Sequence, residues 1–306
     1  MFALNRQGRA IDTFIVPLVL VTINAIVWTI LIKFPFKGSF IVDEEPWAST
    51  YTLVLTTTLA FLLVFRLNRV AIRWWDTRSM WGSVIAHSRL LVGAIAEHCN
   101  HEPECRDAAI AWVAAHAIAL KEHMRDDDGH FEYEEIVGFL SPDQIKCVAS
   151  SNHPCIYAAT EIRHALKKAF TVSADTPAAL GASYSSEMRL MEKSLDILQK
   201  DMGGLERVRS TPLSIIFVTH QRTFMMLYLF SLPYLYGHAW GYGTIPSVFL
   251  ISYALLGIDG SASECESPFK KRPNHLNMER FCLIIMEDIE QIVSHNHDLQ
   301  QKRIFA

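Results

Sequence analysis

Two stretches of twenty residues, 13–32 and 46–65, contain no charged side chain, and this limits what the chain can fold into more than any other feature. A helix needs about 20 apolar residues to cross roughly 30 Å of hydrocarbon, so each stretch is long enough to span a bilayer. A third run, residues 223–258, is 36 residues long and interrupted only by His238, with Gly237, Gly241 and Gly243 near its middle. It accommodates two segments, 223–236 and 245–258. Each spans only if it is extended, the first back through residues 210–220 with Arg222 on a protein-facing side. Pro212, Pro233 and Pro246 are expected to kink or break these segments, which a membrane tolerates where the freed backbone groups face protein or a water-filled cavity. The alternative, buried core helices of a large soluble protein, fits poorly with two separate charge-free runs of spanning length. Charged residues make up 20% of the chain, against about 25% in an average soluble domain, and mean hydropathy is +0.17. The first run is too long, and lacks the flanks, for a cleaved signal peptide.

Orientation follows from basic residues. Arg66, Arg69, Arg73 and Arg78 follow the second run, whereas the loop between the first two runs holds Lys33 and Lys37 beside Asp43, Glu44 and Glu45. Lys and Arg accumulate on the cytoplasmic side, so both ends of this first hairpin are expected there. Residues 67–209 then read as a soluble helical region. Met80, Trp81, Val84, Ile85, Leu91 and Ile95 recur at helical spacing, as do Ile110, Val113, Ala114 and Ala117, and Met188, Leu195 and Leu198. Breaks are expected at residues 101–105, 126–129, 150–154 and 174–177, and Gly203-Gly204 reads as the end of the last long helix. A final helix is expected over residues 277–300. The fold class is therefore all-α, with membrane-spanning helices and a helical soluble domain. The expected divisions are 1–66 (first transmembrane hairpin), 67–209 (soluble region), 210–258 (second transmembrane pair) and 259–306 (C-terminal helical segment packing on the soluble region). All six cysteines lie outside the first hairpin runs, on the side expected to be reducing, and are read as unpaired thiols.

The most specific motif closes the second apolar run: Phe65-Arg66-Leu67-Asn68, then Arg73-Trp74-Trp75-Asp76, Arg78 and Trp81-Gly82. This resembles the bestrophin family of anion channels, whose pattern is Phe-Arg-x-Asn, an Arg followed by two aromatics and an acid, then Trp-Gly. Three further pieces resemble the family in the same order: residues 207–214 (RVRSTPLS) before the third span, Leu232-Pro233 within it, and Glu264-x-Glu266-x-Pro268-Phe269 after the fourth. The likeness is to the bacterial and plastid branch.

The resemblance implies a homopentamer around a central pore, in a multi-pass membrane protein of a thylakoid, plasma or bacterial inner membrane. It implies conduction of chloride, bicarbonate or other small monovalent anions, with a hydrophobic neck at Thr57, Phe61 and Phe65. These three are four residues apart and share one side of a helix. Phenyl edges carry partial positive charge, so edges turned to a lumen favour anions, and a hydrophobic constriction can gate by expelling water. Thr57 stands where the family commonly has a bulkier aliphatic residue, which widens and wets the neck at that level. Without the resemblance, Phe61 and Phe65 read equally well as lipid- or helix-facing.

The resemblance further implies that Arg66, Asn68, Arg69 and Arg73 lie at the inner mouth, just below this neck. The arginines either concentrate anions there or set topology and pair with Asp76, Glu264 or Glu266. Trp74 and Trp75 suit a membrane interface or core packing, and Asp76 is expected to pair with an arginine. An inner constriction carried over from the family falls near Tyr184, or at Ser183 or Met188 if the register slips. Residues 67–209 contain 16 basic and 20 acidic residues, so anion preference must come from local placement. Where family members bind calcium, acids follow the Pro-Phe pair. Here Pro268-Phe269 is followed by Lys270-Lys271-Arg272, which would repel a hard cation, so no calcium clasp and no other cofactor are expected.

Net charge of −4 gives no sign of nucleic-acid binding. One competing reading is a His/Cys metal-binding membrane protein. His98, Cys99, His101 and Cys105 lie within eight residues, and His116 and His123 share a helical face, but the spacing matches no standard zinc motif and no metal is expected. No nucleophile elbow, phosphate loop or H-E-x-x-H helix occurs, so an enzyme is not expected. A non-conducting membrane scaffold or transporter regulator is the remaining alternative.

Overall fold

The computed structural model describes residues 11–33, 46–125, 138–171 and 177–304. Nine α-helices cover most of them: α1 (Ile11–Lys33), α2 (Pro46–His98), α3 (Pro103–Arg125), α4 (Pro142–Ser150), α5 (Pro154–Ala169), α6 (Ala178–Ser210), α7 (Ile215–Trp240), α8 (Thr244–Glu266) and α9 (Met278–Ile304). A single 3-10 turn, Gly241–Gly243, joins α7 to α8. No strand occurs among the described residues, so the all-α reading holds. The break expected at residues 126–129 lies outside the described residues.

Chain contacts divide the molecule into two compact units. The first takes α1, α2 as far as Trp75, α7 and α8. On α1 the buried apolar positions are Phe14, Leu18, Val21 and Ala25, a spacing of four and three that makes one narrow seam, which buried Thr29 continues. They meet Leu59 and Leu63 of α2, Met225, Leu229 and Leu232 of α7, and Val248 and Leu256 of α8. The opposite side of α1 is also apolar, with Val16, Leu20, Ile23 and Ile30 exposed. A helix that is apolar all round needs an apolar solvent on its outer face. Three helical stretches, Phe14–Ile32, Ser49–His98 and Ile215–Glu266, are long and apolar enough to cross a membrane.

The third stretch contains the α7–α8 pair. With 26 and 23 residues and about 1.5 Å of rise per residue, each is long enough to reach across the hydrocarbon layer. The prolines do not break them. Pro212 precedes α7, Pro233 lies within it, and Pro246 sits in the first turn of α8, where a missing N–H costs little. Gly237 lies against Ile32 so closely that a Cβ would collide with its Cδ1. Small residues let membrane helices approach in this way. Gly241, with φ of 53°, ends α7 in the left-handed region that favours glycine.

The second unit takes the rest of α2, α3 to α6 and α9. Its centre is α3, an alanine-rich helix in which Ala109, Ala114, Ala115, Ala117 and Ala119 are all buried. Small side chains on every face let α5, α6 and α9 pack closely around it. Trp81, Val84, Leu91 and Ile95 of α2 are buried as their spacing requires, and so are Leu195 and Leu198 of α6. α4 opens with a reciprocal Ser141/Gln144 capping box. The helix expected to stop at Gly203-Gly204 continues to Ser210. Gly204 instead lies where Met80 of α2 comes closest, and a Cβ there would overlap the Met80 sulfur. This glycine serves a close approach, not a helix end.

Candidate functional site

α2 has two faces in the first unit. Leu59, Leu63, Arg66 and Val70 are buried, and at 100° per residue they cluster on one side. Thr57, Phe61 and Phe65 project from the other. All three are exposed, Phe61 at 74% and Phe65 at 45%. Thr56 is fixed from its other side by a hydrogen bond to the Tyr228 hydroxyl, 3.1 Å. The Phe65 ring meets Phe217 of α7 edge-on, with centroids 5.6 Å apart, and the Arg69 guanidinium lies over it at 5.7 Å. The stripe thus ends, at Phe65, in an aromatic pair with a cation beside it.

Arg66 behaves differently from a mouth-lining charge. Its side chain is 1% exposed and forms an ion pair with Asp259 of α8. It also donates to Ser263 Oγ at 3.0 Å and lies 3.7 Å from Glu266. Arg222 of α7 reaches the other Asp259 oxygen at 3.0 Å and Ser263 at 2.7 Å, and Gln221 donates to Asp259 at 3.3 Å. One carboxylate therefore holds side chains from α2 and α7 against α8. Glu266 accepts from the Leu213 backbone N–H at 3.0 Å, which pins the chain just before α7. Arg73 donates to the Glu266 carbonyl at 3.2 Å. An unpaired buried charge is costly, so such clusters persist only when every member is matched.

The other motif residues separate. Asn68 is exposed. Trp74 and Trp75 pack edge-to-face at 5.5 Å, with Trp75 mostly exposed. Asp76 is exposed and makes no ion pair among the described residues, against expectation; the arginines find Asp259 and Glu266 instead. Glu264 is held by Arg272 at 2.6 Å, and His275 Nε2 lies 3.4 Å from its other carboxylate oxygen. Pro268 and Phe269 are buried. In the second unit, Tyr184 stacks on His101 at 5.0 Å and meets Phe170 edge-on, while Ser183 bonds Glu187. The His98–Cys105 cluster is dispersed: His98 faces Glu187, His101 bonds the Ala169 carbonyl, and Cys99 and Cys105 are buried thiols. All six cysteines are free. Asp259, the hub of the charge cluster, escaped the sequence reading although it stands one residue beyond the end of an apolar run.

The chain matches the family described as Bacterial/Fungal Bestrophin protein over residues 2–291. It belongs to the bestrophin family. Curated relatives include a voltage-dependent anion channel-forming protein of Nostoc sp., 26% identical over 81% of this chain and 80% of the relative. Another, from Synechocystis sp., is 25% identical over 79% and 76%. A solved bacterial bestrophin homologue from Klebsiella pneumoniae shares the fold, with a TM-score of 0.78 at 21% identity, covering 91% of this chain and 98% of that one. Bestrophin membership and the apolar helices make this a membrane channel protein and not an enzyme.

Proposed function

We propose that this bestrophin assembles as a homopentamer and conducts small monovalent anions, chloride or bicarbonate, through a central pore with its neck at Thr57, Phe61 and Phe65. The observation that carries this reading is the orientation of the stripe. α2 buries Leu59, Leu63 and Arg66 against its own chain and leaves the aromatic row exposed, with Phe61 making little contact within the chain. Symmetry-related copies of that row would form a ring of phenyl groups whose edges favour anions. The names of the relatives point to the same class of permeant ion.

The arginines play two parts in this scheme. Arg66 and Arg222 share Asp259, with Glu266 supplying the second negative charge beside Arg66, and hold the helices in place, which leaves Arg69, over the Phe65 ring, as the cation at the neck. The inner constriction lies near Tyr184, whose ring is already braced by His101 and Phe170. Calcium plays no part at residues 264–275, because the Glu264 carboxylate is occupied by Arg272 and three basic residues follow the Pro-Phe pair. The four apolar helices cross the bilayer, with α7 and α8 as the second pair. Replacement of Phe61 by Ala in protein reconstituted into planar bilayers is expected to enlarge anion current several-fold. Unchanged current and selectivity would remove the neck assignment and favour a non-conducting scaffold.

A further inference from the structure

In the second unit three side chains that are far apart in sequence converge. His123 lies in the last turn of α3, His153 immediately precedes α5, and Glu206 is on α6. Nε2 of His123 is 2.8 Å, and Nε2 of His153 2.6 Å, from the same oxygen, Glu206 Oε1. The two imidazole centroids are 4.6 Å apart, and all three potential ligand atoms lie within 4.8 Å of one another. We propose that His123, His153 and Glu206 form a binding site for a divalent transition-metal ion of the zinc class. This inference does not depend on the channel reading.

Donor chemistry selects the ion. Two imidazoles and one carboxylate suit zinc and its neighbours, whereas calcium and magnesium prefer an all-oxygen set. Ligands about 2.0–2.1 Å from a tetrahedral ion stand roughly 3.3 Å from one another. The two nitrogen–oxygen separations are about half an ångström shorter, as expected of hydrogen bonds. A small rotation of the Glu206 side chain makes room without moving a helix. Each Nε2 gives up its proton when the ion enters, as metal binding to histidine requires. His153 is available for this role: it stands at the N-cap position of α5, yet its side chain makes no capping bond.

The surroundings fit three protein ligands and one exchangeable position. A cavity of about 590 Å³ lined by His123, Glu206, Arg209 and Ser210 opens beside the cluster, and leaves room for water or a small anion as the fourth ligand. Arg209 donates to the His123 carbonyl oxygen, so it fixes the α3 terminus while its charge adds to the pull on an anionic fourth ligand. The bound ion would tie the end of α3, the start of α5 and the end of α6 together. The sequence could not show this. His116, which shares a face with His123, is buried and bonded to Gln199 instead, and the true partners come from 30 and 83 residues away.

The test uses full-length, tag-free protein in detergent, stripped with a chelator and titrated with zinc chloride by calorimetry. One zinc per chain is expected, with affinity reduced at least tenfold in His153→Gln and in Glu206→Gln and retained in His98→Gln. Zinc should raise the thermal midpoint of the unsubstituted protein and not of the two ligand variants. Should a variant fail to fold, cobalt(II) added to the unsubstituted protein decides: visible d–d bands without thiolate charge transfer are expected. No zinc uptake, uptake unchanged in both ligand variants, or a cobalt–thiolate band would overturn the proposal, leaving a hydrogen-bonded cluster without a metal.

Discussion

Arg66 carries a charge to a place water does not reach, and Asp259 makes that tolerable. Removing one partner of a buried pair leaves an uncompensated charge, which costs on the order of 3 kcal/mol. Asp259→Asn is therefore expected to lower the thermal midpoint of detergent-purified protein markedly, while Arg66→Met combined with Asp259→Leu recovers the part of the loss that stems from Arg66, Arg222 still lacking its Asp259 partner. A single variant as stable as the parent would show that the pair does not hold the helices. The thiols offer a second test at this scale. Burial, with the nearby Glu187 and Cys105 charges, pushes Cys99 up to about 12, and burial also raises Cys155. The thiolate is the reactive form, so iodoacetamide at pH 8 should label exposed Cys147 and spare Cys99 and Cys155 until the protein unfolds, read by mass spectrometry. Early labelling of Cys155 would contradict its burial. The sequence marked Arg66 through its motif but could not name its partner, because 193 residues separate it from Asp259. An acid adjoining an apolar run, set against arginines adjoining two others, was the available signal.

At the level of elements, periodicity was the readable quantity. Most of the positions spaced three and four apart on α2 and α3 are buried as their pattern requires, and Thr57 and Phe61 lie on the face that α2 turns away from its own chain, with Phe65 at its edge against Phe217. What periodicity cannot distinguish is a glycine that ends a helix from one that lets another helix approach. Gly204 is of the second kind, since only the position of Met80 decides it. α3 also carries a pH dependence. His116 is wholly buried, and desolvation, with His153 adding to it, lowers its pKa to about 4. The folded state keeps it neutral, whereas the unfolded chain takes up a proton as pH falls below about 6.5. Stability is thus fully present above that value and declines between about pH 6.5 and 4, by up to about 1.4 kcal/mol per pH unit. Urea midpoints measured with chelator present should fall from pH 7.5 to 5 and fall less in His116→Gln. An equal fall in both would remove His116 as the cause.

For the whole molecule, the fold class was legible because charge-free runs of spanning length admit few alternatives. Which apolar faces would meet lipid and which would meet other copies of the chain in an assembly was not, since both environments select the same residues. The pentameric reading predicts that native mass spectrometry from detergent gives an assembly five times the 34.7 kDa chain mass; a monomer or dimer would deprive the aromatic row of the neighbours it needs. The central claim is that this passage prefers anions, and its most direct test is the reversal potential of purified protein in planar bilayers under a chloride gradient. The potential should move toward the chloride equilibrium value, and should follow bicarbonate when that anion replaces chloride. A reversal at the cation equilibrium potential, or bilayers that stay silent at high protein load, would contradict it.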